Sequence, residues 1–317
     1  MKPPYDITPD ILKLISSISE HIGAVNARFL NKASPQLRKQ NRIRTIQASL
    51  QIEGNTLTEE QITALMEQKR VIGPKKEVSE VQNAIRVYEN VSGFKSYTEK
   101  HFLKAHSELM NGLIEHPGKY RTQGVGIVKG SNVTHVAPPA ENVPFLMKEL
   151  FHYLKDPNEL TLIKSCVFHY EMEFIHPFMD GNGRMGRLWQ TLILSEEYPV
   201  FSFLPFETLI SRTQEDYYRS LAASDKAGTS TAFIQYMLGV INLSLVDLLN
   251  QNSPVLKDTD RLAYFISLGN REFSRIDYLS VFKDLSTATA SRDLKKGIEL
   301  NLLKASGEGN KTRYSVL

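Results

Sequence analysis

Residues 176–187 read HPFMDGNGRMGR, and no other stretch of this chain restricts its fold as much. Three glycines in twelve positions work against a continuous helix, and a proline in second place disfavours the α conformation in the residue before it. The segment therefore predicts a break between two helices. Upstream, CVFHYEMEFI has helical spacing, so His176 is expected just past a helix end, in an extended geometry with its imidazole turned into a cleft. Downstream, RMGRLWQTLILSEEY predicts a second helix from about Arg184.

The residue types at this break suit one kind of chemistry. Asp180, Gly181, Asn182 and Gly183 offer backbone amides with little side-chain cover at a helix start, where the helix dipole also favours an anion. Arg184 and Arg187 are three apart and share one face of the first turn, which implies more than one phosphate. Asp180 is a hard oxygen ligand suited to Mg²⁺ beside those phosphates. His176 is the obvious base to take a proton from an attacking hydroxyl, help worth roughly 10²- to 10⁴-fold. Positioning and charge neutralisation supply most of the remaining rate in phosphoryl-type transfer. Together the residues predict a nucleotide-dependent transferase.

Helical spacing fills most of the chain up to about residue 250. Thr8, Pro9 and Asp10 open one helix, and Thr58 with Gln61 forms a capping box for another. Thr98 is expected to cap EKHFLKAHSELM. On a helix expected over about residues 36–54, Ile43, Ile46 and Leu50 form a buried stripe that ends at Gly54-Asn55. Glu53 falls near the continuation of that stripe, where an unpaired carboxylate is costly, so it needs a cationic partner. The exception to this helical pattern is GKYRTQGVGIVKGSNVTHV, which predicts a hairpin turning at Lys129-Gly130-Ser131-Asn132.

After the polar gap QNSPVLKDTD the pattern changes again. A short helix beginning at Phe273-Ser274-Arg275, a turn at Ser286-Thr287, a second helix and two short strands succeed one another in the order of a winged helix-turn-helix. On the second helix, Ser286 to Leu300, Ser291, Arg292, Lys295 and Lys296 are expected exposed, and Leu294 and Ile298 buried. Residues 271–317 carry nine Lys and Arg against six Asp and Glu, equal to the chain's whole surplus of +3. Affinity for DNA depends on neutralised phosphates, so this charge supports weak binding at most. At 317 residues and 41% hydrophobic, the chain suits one large domain with a smaller appendage. Its single cysteine, Cys166, excludes an intramolecular disulfide and fits a reducing compartment. No apolar run is read as approaching a membrane span, and MKPPYDITPD lacks the order of a signal peptide, so a cytoplasmic protein without membrane contact is expected.

HPFMDGNGRMGR resembles the signature of the Fic family, HPFx[DE]GNGRxxR, at every fixed position, and the likeness runs over nearly the whole chain. The resemblance implies a mainly α fold: a Fic-type helical domain with a β-hairpin flap, succeeded here by the C-terminal winged helix-turn-helix. It implies the organisation 1–95, an N-terminal helical region with an inhibitory helix; 96–250, the catalytic core; 251–270, a linker and helix; and 271–317, the winged helix. The family's usual activity is AMPylation, transfer of AMP from ATP to a Ser, Thr or Tyr hydroxyl of a protein with release of pyrophosphate.

Carried onto this chain, the resemblance makes His176 the general base, Asp180 the Mg²⁺ ligand, and Gly181, Asn182, Gly183, Arg184, Met185, Gly186 and Arg187 the ATP-binding loop and helix start. Phe178 anchors that loop in the core. Tyr217 and Tyr218 resemble paired tyrosines near the nucleotide, and Val133, Thr134, His135 and Val136 belong to the flap that aligns a target by β-augmentation. Ser49, Glu53 and Gly54 resemble the inhibitory motif [S/T]xxxE[G/N], whose glutamate pairs with the second arginine, here Arg187. The implied partners are a target protein and, through auto-AMPylation, the chain itself. Several alternatives stay open: a homodimer, a DNA-binding regulator with a nucleotide-sensing core, a bifunctional enzyme that also removes AMP, and donors such as UMP, phosphocholine or phosphate.

Overall fold

The capping box on Thr58 and Gln61 forms as the spacing predicts, each side chain bonding the other's backbone amide. The Thr8 hydroxyl accepts from the amide of Ile11 at the start of the first helix. Thr98 precedes its helix in extended conformation without a side-chain cap bond. The computed structural model describes residues 2–29, 35–129, 132–250, 257–269, 271–282, 285–307 and 312–317. By its internal packing the chain forms two units, Met1–Ser19 with Pro35–Val246, and Glu20–Ser34 with Asp247–Leu317.

The larger unit is helical. In order it contains α1 (Pro9–Phe29, as far as Ser19), α2 (Pro35–Gln51), α3 (Glu59–Met66), α4 (Lys75–Glu89) and α5 (Glu99–Leu109). The antiparallel hairpin β1 (Gly126–Lys129) and β2 (Asn132–Val136) comes next, with a bulge between Ile127 and Val128. Its expected tip residues, Gly130 and Ser131, lie outside the described residues. Then come α6 (Val143–Tyr153), α7 (Thr161–Ile175), α8 (Asn182–Glu197), α9 (Glu207–Arg212), α10 (Gln214–Ala227) and α11 (Thr231–Asn250, as far as Val246). Within this unit the residues read as part of 1–95 share one interior with those read as part of 96–250, because α2 packs on α8 and α9.

α7 and α8 pack along each other at the centre of this unit. Cys166, Val167, Phe168 and Met172 on α7 and Met185, Leu188, Trp189 and Leu194 on α8 have no exposed surface. Phe102, Phe151, Phe168 and Trp189 join them through edge-on ring contacts with centroids 5.1–6.0 Å apart. This aromatic cluster packs together the helices at both ends of residues 176–187.

α11 corrects one expectation. Thr231–Asn250 is long and apolar enough to cross a membrane by length and composition, with a mean hydropathy of 1.7 over its best window. Half of that window is buried within the chain, where Phe233, Ile234, Met237, Leu238, Ile241 and Leu245 form a fully buried stripe.

The smaller unit includes α12 (Asp258–Ser267), β3 (Glu272–Ser274), α13 (Arg275–Val281), α14 (Thr287–Glu299), β4 (Leu303–Ser306) and β5 (Arg313–Val316). Its strands form one antiparallel sheet in the order β3-β5-β4. Phe273 does not begin a helix, against expectation; it sits in β3, and the helix starts after a capping box on Ser274 and Asp277. Leu262, Phe265, Phe273, Tyr278, Leu294 and Leu303 make a separate core. On α14, Arg292 and Lys295 are exposed and Leu294 is buried, as the spacing predicts, whereas Ser291 and Lys296 are half-buried, against expectation. Ile298 is 38% exposed, against expectation, because Gly297 turns inward and Leu303 fills the space above it.

Candidate active site

Residues 176–182 form the break between α7 and α8. His176 caps α7 in the left-handed region (φ 49°, ψ 61°), not in the extended geometry expected before a proline. Pro177 disfavours the right-handed helix, and a left-handed residue is a common way for a helix to end while its chain reverses. Such a conformation costs a non-glycine residue roughly 1–2 kcal/mol. Nδ1 of His176 lies 3.3 Å from the carbonyl of Glu173. A carbonyl only accepts, so this contact puts the ring proton on Nδ1 and the lone pair on Nε2.

α8 starts at Asn182, two residues earlier than expected, with Gly181 before it at φ 87°. A side chain on Gly181 would meet Met110 Sδ at 2.7 Å as well as straining the backbone. The Asn182 amide is committed to the loop itself: it accepts from the backbone N–H of Phe178 and donates to the Phe178 carbonyl, both at 2.9 Å. What Asn182 offers a ligand is thus its backbone. Phe178 is fully buried, stacked on His106 with ring centroids 3.5 Å apart, and so anchors the loop as expected.

The two arginines face different surroundings. Arg184 Nη2 donates to Asp180 Oδ1 at 2.9 Å and Nη1 to Glu80 Oε1 at 3.4 Å, while its buried Nε has no partner among the described residues. An orphaned guanidinium donor at a helix start is a place for an anion. Arg187 is fully buried: Nε donates to Ser49 Oγ at 3.0 Å, and Nη2 to the Ser49 carbonyl and to Glu53 Oε1, both at 2.8 Å. Burial is the largest single influence on Arg187 and opposes its charge, but Glu53, Tyr217 and Glu173 together outweigh it and carry the pKa above its ordinary value. Glu53 therefore has the cationic partner its position demands, and Gly54 comes after it at φ 92°. The same carboxylate lies over the loop, since a Cβ on Gly183 would be 2.4 Å from Glu53 Oε1 and 3.0 Å from Arg187 Nη1.

Met185 is fully buried, and His169 packs against Gly186, where a Cβ would be 2.6 Å from Cδ2 of that ring. These two residues serve the core behind the loop. Tyr217 is also buried, its hydroxyl 3.1 Å from His169 Nε2 and 3.4 Å from Glu173 Oε1. Burial pushes the Tyr217 phenol well above its usual pKa and lowers that of His169 to about 3, so both are neutral. Tyr218 is 42% exposed, with its ring edge-on to Tyr217. Strand β2 runs beside α10, the helix that carries both tyrosines. Side chains of Val133, Thr134, His135 and Val136 lie outside the described features.

Asp180 accepts from Gly181 N and from Arg184, both on Oδ1, and its side chain is 46% exposed. Among the described residues no group of three or more His, Cys, Asp and Glu gathers. A single accessible carboxylate beside an anion site fits Mg²⁺, which is commonly held by one or two carboxylates with phosphates and water completing its shell.

Three residues at the site carry no sequence signal of their role. His106 Nδ1 accepts from Gly118 N, so Nε2 carries the proton and donates to the Asp180 carbonyl at 3.0 Å. Burial lowers its pKa to about 4. Arg121 donates to the His176 carbonyl. Glu80 holds Arg184 and accepts from Asn55 Nδ2 at 2.9 Å, tying the segment after Gly54 to α4. The only hints are an arginine in GKYR and a histidine in LKAHSEL, neither with a partner at helical spacing.

The break between α7 and α8 is a helix start whose geometry suits an anion, flanked by an imidazole and a lone carboxylate. Residues 96–194 match the model of the Fic/DOC family. The crystal structure of a Fic family protein from Desulfovibrio desulfuricans G20 is 42% identical with a TM-score of 0.77, covering 100% of this chain and 98% of that one. The chain belongs to the Fic family. It is also similar to the protein adenylyltransferase fic-1 of Caenorhabditis elegans, 30% identical over 227 residues, which are 65% of this chain and 43% of that relative. The protein adenylyltransferase Fic of Drosophila mojavensis is 27% identical over 248 residues, 73% of this chain and 47% of that relative. The chain spans less than half the length of these curated relatives.

Proposed function

We propose that this protein transfers AMP from ATP to a hydroxyl side chain of a target protein, itself included, and that Glu53 restrains the reaction. The observation that carries the reading is the Glu53 carboxylate lying against Gly183 and Arg187, the place where the helix start favours an anion. A carboxylate there stands in for a phosphate oxygen. In the productive complex the amides of residues 181–183, Arg184 and a freed Arg187 bind the triphosphate. Mg²⁺ on Asp180 would neutralise developing phosphate charge.

His176 takes the proton of the attacking hydroxyl on Nε2 as the oxygen bonds to the α-phosphorus. The bond from that phosphorus to the bridging oxygen breaks, and pyrophosphate leaves. Nδ1–H, held by the Glu173 carbonyl, keeps the imidazole in the tautomer this requires. The neutral His169–Tyr217 pair packs behind Gly186 and supports the floor of the site. The hairpin of β1 and β2 acts as a flap that presents the target backbone through its edge.

Labelled ATP tests this directly. Wild-type protein is expected to label itself weakly, Glu53→Gly strongly, and His176→Ala not at all; equal labelling by wild type and Glu53→Gly removes Glu53 from the proposal.

The C-terminal unit is proposed to be a winged helix-turn-helix with α14 as its exposed helix, which recruits or positions a target. A regulator that binds DNA is the competing reading, supported by the exposed Arg292 and Lys295. A gel shift on random duplex separates them: strong retention that weakens sharply with salt favours DNA binding.

A further inference from the structure

Arg121 is 3% exposed and has no acidic partner among the described residues. Its guanidinium is spent on backbone carbonyls. Nε donates to His176 O at 2.8 Å, Nη1 to Gln123 O at 2.8 Å, and Nη2 to Pro138 O at 2.5 Å and Ile175 O at 3.2 Å. Its own backbone N–H donates to Pro177 O at 2.9 Å. Burial without a counter-charge lowers the pKa of this group from its ordinary value. A buried cation is tolerated only when its donors are satisfied, and here four carbonyls do that work.

Those carbonyls fall into two sets. Ile175 and His176, together with Pro177 on the backbone amide, belong to the left-handed turn that carries the imidazole. Gln123 lies three residues before β1 and Pro138 two residues after β2, so they are the two roots of the hairpin. We infer that Arg121 is a positioning residue: it fastens the turn carrying the base and both roots of the hairpin into one rigid piece, which sets the distance between His176 Nε2 and a hydroxyl presented along the hairpin. This inference rests on the transferase reading above. Only a planar fork reaches carbonyls in these several directions, so lysine is a partial substitute.

The clamp acts on alignment and leaves the nucleotide contacts of α8 in place. It is tested with Arg121→Gln and Arg121→Lys in the Glu53→Gly background. Readouts are kcat and KM for ATP, calorimetric binding of ATP with Mg²⁺, amide exchange over residues 122–138, and the NMR signals of the His176 ring. Arg121→Gln is expected to lower kcat by about 100-fold, as a displacement near 1 Å does. ATP affinity should stay within about twofold, with faster exchange at the hairpin and a shifted His176 ring signal. Arg121→Lys should recover about tenfold of the lost kcat. Unchanged kcat in folded Arg121→Gln overturns the proposal, and so does a fall in kcat matched by an equal loss of ATP affinity. Should Arg121→Gln fail to fold, the same criteria apply to Arg121→Lys against its parent. Should the Glu53→Gly parent transfer nothing, the transferase reading fails. The clamp is then judged by exchange and the His176 signal alone, and sinks if neither moves.

Discussion

Arg261 in the smaller unit and Arg187 in the larger one are both buried against a carboxylate, yet the two pairs are built differently. Arg261 meets Asp293 through two hydrogen bonds, Nε to Oδ2 at 2.7 Å and Nη2 to Oδ1 at 2.8 Å, and the Tyr278 hydroxyl adds a third at 3.1 Å. The two side chains are 9% and 3% exposed, and the pair ties α12 to α14 inside an apolar core. Arg187 meets Glu53 through a single bond, and the Glu53 side chain is 30% exposed while that of Arg187 is 1%. Water or a phosphate can reach one partner of this pair and neither partner of the other. A closed pair joins elements, whereas a pair open on its acidic side can exchange that acid for another anion. In the proposed function the helix start next to Arg187 supplies the field that favours such an exchange, whereas Asp293 lies in the middle of α14, away from its start.

Substitutions can break this contrast in order of expected effect. The largest is His176→Ala, which should lower AMP transfer by roughly 10²-fold or more, with ATP binding retained by calorimetry; transfer near the wild-type rate would place the base elsewhere. Next is Glu53→Gly, expected to raise self-labelling by about tenfold or more, since it frees Arg187 while the Ser49 contacts remain. Asp293→Ala should act on stability and not on transfer. Stranding a buried guanidinium costs about 3–5 kcal/mol, so denaturant should unfold the smaller unit early while transfer by the larger unit changes less than about twofold. A comparable loss of stability in Glu53→Gly would erase the distinction between the two pairs.

Titration offers a finer test of the larger unit's interior. Burial holds His169 near pKa 3 and His106 near 4, and it raises Glu207 and Glu171 to about 7. Between about pH 4.5 and 6.5 the two histidines are neutral when folded and protonated when unfolded, so acid lowers stability through them. The two glutamates are protonated when folded and ionised when unfolded, so acid raises stability through them. These contributions oppose each other and predict a nearly flat stability profile in that window. Glu207→Gln removes one acid-favoured group, and stability should then fall with falling pH by up to about 1.4 kcal/mol per pH unit. Chemical denaturation at several pH values checks the sign, and a profile unchanged by the substitution contradicts the ionisation assigned to Glu207. The smallest effect is expected for Arg292→Ala with Lys295→Ala, exposed on α14, at under about 0.5 kcal/mol.

Local rules make much of the fold legible. Thr58 and Gln61 signal a helix start because the capping box closes within four residues, and the stripe of Ile43, Ile46 and Leu50 signals a buried face because helical period is a local property. The break at 176–187, the pairing need of Glu53 and the hairpin are legible for the same reason: glycine, proline and spacing act over a few residues.

Tertiary structure decided what depends on groups far apart in the chain. Pro177 disfavoured one conformation for His176 without choosing among the others; the reversal between α7 and α8, held by Arg121 from 55 residues away, selected the left-handed one. Ile298 sits at a core spacing, but Leu303 reaches Gly297 first. Glu80, His106 and Arg121 are not marked by local pattern, because the hydrogen bonds that tie them to the loop reach residues 55 to 104 positions distant. A sequence determines which groups need partners through local geometry and solvation, and only the folded chain, by bringing distant carbonyls and carboxylates within about 3 Å, determines which partners they find.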